Sequence, residues 1–262
     1  MSASLPLLNH PLDQQSEFTA DALMADVRRL RQLPAEALPE ICFLEFDGDF
    51  TDWLVETGQA HRVEDWACFH TNMFALDLAG QRCGIIARTI GAPYAVLIAE
   101  QLHAAGVRVI FGITSAGRIA PDLALPGLVV ANGAVRDEGT SFHYLPPAET
   151  VAAPAALAEA MAESLADFPR ALRSGLVWTT DAPYRETAQQ IQHWAARGVL
   201  AVEMQAAGLF AFAQAKQAQV GLLALVSNAT DHDGEQFNTG GFAETLEIFA
   251  RLAASAIPLT KP

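Results

Sequence analysis

Residues 83–113 read CGIIARTIGAPYAVLIAEQLHAAGVRVIFGI, and this stretch decides the fold class. Residues 83–88 form a short apolar, β-rich run, 93–105 carry apolar positions at helical spacing, and 107–113 are β-rich again. Pro93 suits the first turn of that helix, where a missing N–H costs nothing. The alternation continues in both directions. Further β-rich runs fall at 41–46, 67–77, 127–135, 175–180, 199–203 and 220–227, and helical patterns at 20–33, 154–167, 185–196, 204–218 and 242–256. Strands alternating with helices predict an α/β domain around a central, mixed sheet. Residues 1–40 are polar and Pro-punctuated and read as an N-terminal extension holding one helix. Residues 41–262 read as one domain, because no linker divides them.

Composition narrows the function. Asp plus Glu number 30 against 16 Lys plus Arg, a net charge of −14. Such a chain repels nucleic-acid phosphates and anionic lipid, so neither nucleic acid nor membrane is an expected partner. An apolar content of 51% excludes a disordered chain. No apolar run reaches the ~18 residues of a spanning helix, and MSASLPLLNHPLDQQ lacks the basic and apolar regions of a secretion signal. Cys42, Cys68 and Cys83 are an odd number without metal-type spacing and read as buried thiols of a cytoplasmic protein.

Ligands of open α/β sheets gather at the C-terminal ends of strands, which points to 88–93, 112–118, 179–185, 203–205 and 227–233. Gly91, before Ala92 and a helix start, either brings backbone N–H groups to an anion or makes a plain strand-to-helix turn. Thr114 and Ser115 lie in Gly-Ile-Thr-Ser-Ala-Gly-Arg, read as a small-residue turn that a ligand approaches closely or that Ser115 closes on itself. Glu203, Met204 and Gln205 stand where a strand meets a helix. There Gln205 can hydrogen-bond a sugar diol while Met204 covers the ring, or Glu203 serves the helix dipole. Asp231, His232 and Asp233 lack further ligands at metal spacing and read as a polar loop, so no metal is expected.

Taken together, IGAPYAVLIAEQL, ITSAGRIAPDL, VVANGAVRDEGTSFHYLP, TTDAPYRET, GVLAVEMQAAGLFAFA and LVSN resemble the nucleoside phosphorylase and nucleosidase superfamily. The closer likeness is to its uridine phosphorylase and hexameric purine nucleoside phosphorylase branch, over roughly 40–255. The resemblance implies a single α/β domain with a partly barrel-like sheet. It implies a homotrimer or homohexamer whose sites are shared between subunits, and cleavage of a nucleoside's N-glycosidic bond. It implies no cofactor, with phosphate as a possible co-substrate.

The resemblance also distributes roles. Met204 matches a ribose-packing Met, and Gln205 stands where a Glu grips the 2′- and 3′-hydroxyls. Ser115 and Thr114 match residues near sugar and phosphate, and His10 matches a His that reaches a neighbour's 5′-hydroxyl. Asp181 opens a segment whose base-stacking Phe is here Pro183, so stacking passes to Phe142 or Tyr184. Asn228 replaces the Asp that protonates a departing adenine. An amide supplies no proton, so a pyrimidine or 6-oxopurine is expected. The phosphate-clamping arginines correspond to Asp52, Gly112 and Asn72. Arg88 and Arg118, with Gly48, are the candidates to restore an anion site. Two readings follow: an enzyme using water or another acceptor in place of phosphate, or a nucleoside-binding protein that has lost catalysis.

Overall fold

In the computed structural model, which describes residues 5–34, 37–229 and 241–260, the strands are β1 (Ile41–Glu45), β2 (His61–Arg62), β3 (Phe74–Leu78), β4 (Gln81–Ala87), β5 (Val109–Arg118), β6 (Gly127–Asp137), β7 (Thr150–Ala152), β8 (Ala171–Thr180), β9 (Ala201–Glu203) and β10 (Gln219–Ala229). The helices are α1 (Ala20–Arg31), α2 (Asp49–Glu56), α3 (Ala92–Ala104), α4 (Ala155–Ser164), α5 (Ala188–Ala196), α6 (Ala206–Lys216) and α7 (Phe242–Ala256). The expected α/β class with a mixed, partly barrel-like sheet is what the chain forms. Strands run in the order β10-β6-β8-β9-β5-β1-β4-β3-β2, and a further β10–β5 pairing closes β5, β10, β6, β8 and β9 into a ring. β1, β4, β3 and β2 extend from β5 as an open tail, and β7 pairs with β6.

Each element follows from its residues. β1 is buried at all five positions, as a strand covered on both faces must be. α6 is buried from Ala206 to Ala213, which its small and aromatic side chains permit. Gly208 lets it approach α3: a Cβ there would stand 2.9 Å from that of Ala92. α1 has Thr19 as its N-cap, accepting from the Ala22 N–H. It buries Met24 and Val27 in the main core, so the extension packs onto the domain.

Two expectations change. The segment 112–118 is not a turn: β5 runs straight through it to Arg118, because β10 pairs with it over the whole length. Residues 67–73 do not join the strand expected at 67–77, which begins at Phe74. The acidic stretch after β1 forms the helix α2.

β5 is the hinge of the architecture. On one edge it pairs with β10 throughout. On the other it pairs with β1 over 109–113 and with β9 only at Gly117 and Arg118. Thr114, Ser115 and Ala116 therefore lie where β1 has ended and β9 has not begun. Such a splay leaves backbone groups without a strand partner and opens a crevice at the strand ends.

Candidate active site

The splay gathers three of the motif segments and, with them, Asp47. The last strand-like bond on the β1 side is Phe46 N–H to the Ile113 carbonyl (3.0 Å). The next amide, Ser115 N–H, donates instead to Oδ2 of Asp47 (3.1 Å), and the Ser115 hydroxyl donates to Oδ1 of the same carboxylate (2.7 Å). Across the crevice, the Gln205 carbonyl oxygen faces the Thr114 hydroxyl (3.3 Å) and accepts from the Met204 N–H (3.2 Å). The Thr114 hydroxyl also lies 2.8 Å from the Ser115 carbonyl, so one proton serves two acceptors. The Met204 amide can only donate, which fixes the oxygen of Gln205 toward it. Asn228 reaches the same end of the sheet opposite Gly117, after an irregularity in β10 at Ser227. Its Oδ1 accepts from the Ser227 hydroxyl (2.8 Å).

Gln205 is only 2% exposed, while Met204 and Ser115 are half-buried beside it. This corrects the picture of a carboxamide presented openly to a diol. Its oxygen is engaged within the chain, which leaves the NH2 edge as its donor.

Glu203, expected at the substrate, is buried and bonded within the chain. Its Oε2 accepts from the N–H groups of Gln205 (2.6 Å) and Ala206 (2.8 Å), and its Oε1 from the Thr179 hydroxyl (2.5 Å). Thr179 in turn accepts from the Ala207 N–H (2.9 Å). Together they satisfy the first amides of α6, which would otherwise be orphaned. Burial pushes the Glu203 carboxyl up to about 7 against the pull of these bonds.

Of the expected anion-binding groups, Gly48 and Arg88 are engaged within the chain. Gly48 N–H donates to Oε1 of Glu45 (2.6 Å), whose Oε2 takes Thr51 N–H and the Thr51 hydroxyl. Arg88 lies across Gly48 and forks onto both oxygens of Asp52 (3.0 and 2.7 Å), with Asp49 at 3.7 Å. That pairing holds the Asp52 carboxyl below the usual range. Arg118, at the end of β5, directs Nη1 to the Leu123 carbonyl (3.4 Å). Gly91 caps α3 with its own carbonyl, accepting from the Tyr94 and Ala95 N–H groups. At Gly112, Phe46 and Leu222 fill the space: a Cβ would meet them at 3.1 and 3.3 Å. No arginine fits there. Asn72 is exposed and lines a small cavity with Arg31 and Arg62, not this crevice.

Tyr184 is fully exposed, and Phe142 lies beneath the Arg136 guanidinium (4.3 Å). Asp181 accepts from Gly139 N–H (2.9 Å), tying the ends of β6 and β8. His10 packs on His143 of its own chain, ring centres 3.8 Å apart. A separate cavity of about 1100 Å³ opens along α3, lined by Phe18, Leu97, Glu100, His143 and Asp181. None of Thr114, Ser115, Gln205 and Asn228 lines it.

Asp47 is the residue the sequence did not assign. Its signal was the acidic run Asp47-Gly48-Asp49 directly after a strand. Among the described residues, no group of three or more His, Cys, Asp or Glu could hold a metal ion. Asp231, His232 and Asp233 lie outside the described residues. Among the described residues, no helix is long and apolar enough to cross a membrane.

The phosphorylase superfamily model matches residues 41–258, and the chain belongs to that family. It is 32% identical over 142 residues to the guanosine phosphorylase of Halorubrum lacusprofundi, covering 52% of this chain and 57% of the relative. It is 32% identical over 147 residues to a DeoD-type purine nucleoside phosphorylase of Myxococcus xanthus, covering 55% and 62%. To the uridine phosphorylase of Klebsiella aerogenes it is 24% identical over 172 residues, covering 60% and 68%. The matched stretch thus spans about three fifths of the first two relatives.

Proposed function

We propose that this chain cleaves the N-glycosidic bond of a ribonucleoside at the β5 crevice, with water or another acceptor in place of phosphate. The observation that carries the reading is the Thr114–Gln205 contact. It joins two motif segments 91 residues apart, beside the half-buried thioether of Met204. Cleavage requires a held sugar, a stabilised leaving base and a placed nucleophile. Met204 and the Gln205 NH2 serve the sugar. Asn228 serves the base as a neutral amide, which favours a carbonyl-bearing pyrimidine or 6-oxopurine over adenine. For the nucleophile, Gly112 is filled by Phe46 and Asp52 is bound to Arg88, so neither position supplies a cation to a phosphate dianion.

The reading extends to a cytoplasmic homotrimer or homohexamer with shared sites. Ile90 and Leu97 are 53% and 43% exposed, apolar surface that a neighbouring subunit would cover. The three cysteines are free and buried. No cofactor enters the reading.

Incubation with uridine, inosine, guanosine, adenosine and methylthioadenosine, with and without phosphate, tests it. Free base is expected from the first three at rates indifferent to phosphate. Phosphate-dependent release overturns the acceptor assignment. Calorimetric binding without any release identifies a nucleoside-binding protein instead. Gln205→Ala is expected to weaken nucleoside binding by about 1–2 kcal/mol, the worth of a buried hydrogen-bond pair. Unchanged affinity in calorimetry removes Gln205 from the site.

A further inference from the structure

We propose that Asp47 is a built-in oxyanion that occupies the seat at Ser115 and keeps inorganic phosphate out. The inference deepens the reading above and rests on its placing the nucleophile at the β5 crevice. Ser115 offers two donors on one side, its backbone N–H and its hydroxyl. Both go to one carboxylate, each oxygen taking one bond, at 3.1 and 2.7 Å. Two donors converging on two oxygens of one group are the arrangement that holds an oxyanion. Here the chain supplies that anion itself.

Asp47 is delivered there by a fixed turn. Phe46 N–H is tied to Ile113 O (3.0 Å), and Gly48 N–H to Glu45 Oε1 (2.6 Å). Gly48 itself sits at φ 95°, a conformation open to glycine. The residue before Asp47 and the residue after it are therefore both anchored, and the carboxylate, although exposed, is bonded through both oxygens. Arg88, whose side chain lies across Gly48, is held by Asp52 and Asp49. A phosphate arriving at Ser115 must displace Asp47 and then share the turn with it, a like-charge juxtaposition. A water molecule meets no such repulsion.

The test is phosphate binding to the full chain without nucleoside, followed by phosphorus NMR line broadening and calorimetry. Wild type, Asp47→Ala, Asp47→Asn and Asp47→Ala/Ser115→Ala are compared. Asp47→Ala is expected to gain phosphate affinity about tenfold or more, since a like charge beside the seat is gone. Asp47→Asn keeps an acceptor for Ser115 but no charge, and is expected to gain less. The double variant is expected to lose the gain. Should Asp47→Ala fail to fold, Asp47→Asn carries the test through its charge alone. Wild type binding phosphate as tightly as the folded single variants overturns the proposal, and so does a gain that survives removal of the Ser115 hydroxyl undiminished.

Turnover separates this inference from the function it rests on. In Asp47→Ala, phosphate-dependent release is expected to yield sugar 1-phosphate. A phosphate oxygen bonds to C1′ as the C1′–N bond breaks, and the base leaves with that electron pair and takes the phosphate's proton. A phosphate gain with no nucleoside cleaved by any variant overturns the glycosidic reading and leaves Asp47 in its role. Cleavage by wild type with no phosphate gain in either folded Asp47 variant does the reverse.

Discussion

Glu203→Ala is expected to cost about 3–5 kcal/mol of stability, read as a fall in the urea midpoint with an unchanged slope. The carboxylate is buried and accepts from Gln205 N–H, Ala206 N–H and the Thr179 hydroxyl. Alanine leaves both amides without an acceptor inside the protein, at about 1–3 kcal/mol each. It also frees Thr179, which holds the Ala207 amide. The loss falls on the first turn of a helix that is buried from Ala206 to Ala213, where water cannot enter to substitute. A midpoint within about 1 kcal/mol of wild type would show that the α6 amides are satisfied elsewhere.

Glu203→Gln separates charge from hydrogen bonding. The amide oxygen can accept from both N–H groups while its NH2 donates to Thr179 Oγ1, so the network survives. What disappears is titration. Burial raises the folded carboxyl from 4.5 to about 7. Between those values the folded chain holds a proton that the unfolded chain has released, so stability falls as pH rises. Across that window the drop is roughly 3 kcal/mol at 1.36 kcal/mol per unit. Glu45 and Glu138 are pushed up by burial too, but they titrate in both proteins. The wild-type minus variant difference, measured at pH 5 and pH 7.5, isolates Glu203. Parallel pH profiles would sink the assignment.

The network around Glu203 also shows what the sequence could convey. Helix and strand positions were legible because burial obeys period: 242–256 reads as a helix and is one, and the apolar runs at 41–46 and 220–227 coincide with β1 and β10. Thr114, Ser115, Met204 and Gln205 were legible as a group because a small-residue segment and a strand-to-helix junction both fall at strand ends. The strand through 112–118 was not legible. Glycine and serine signal a turn locally, and only pairing with β10, more than a hundred residues away, holds them extended.

Least legible was where the acids go. Glu45 takes Gly48 and Thr51, Asp47 takes Ser115, Glu138 takes Thr140 and Ser141, Asp181 takes Gly139, and Glu203 takes Gln205 and Ala206. Each backbone cradle at these strand ends is filled by a carboxylate of the chain. A net charge of −14 read as a solvated surface; part of it is internal wiring. Linear sequence does not distinguish the two, since both are Asp and Glu beside turns.

Gly48→Ala is expected to cost about 2–3 kcal/mol, and the reason lies in that wiring. Gly48 stands at φ 95°, where an L-residue pays about 1–2 kcal/mol. A Cβ there would also lie 2.5 Å from Arg88 Cζ and 2.6 Å from both Cγ and Nη1. Contacts that run from Cγ to Nη1 mean the whole side chain lies across the glycine, so moving its tip does not relieve them. Arg88 must leave, breaking its fork onto Asp52, an exposed pair worth up to about 1 kcal/mol. The double variant Gly48→Ala/Arg88→Ala removes the collision and keeps the backbone strain. Relative to Arg88→Ala alone, it is expected to cost only the 1–2 kcal/mol of strain. If the full loss persists without Arg88, the turn itself is the obstacle. If Gly48→Ala costs nothing, the left-handed residue does not anchor Asp47, and the fixed delivery of that carboxylate to Ser115 fails with it.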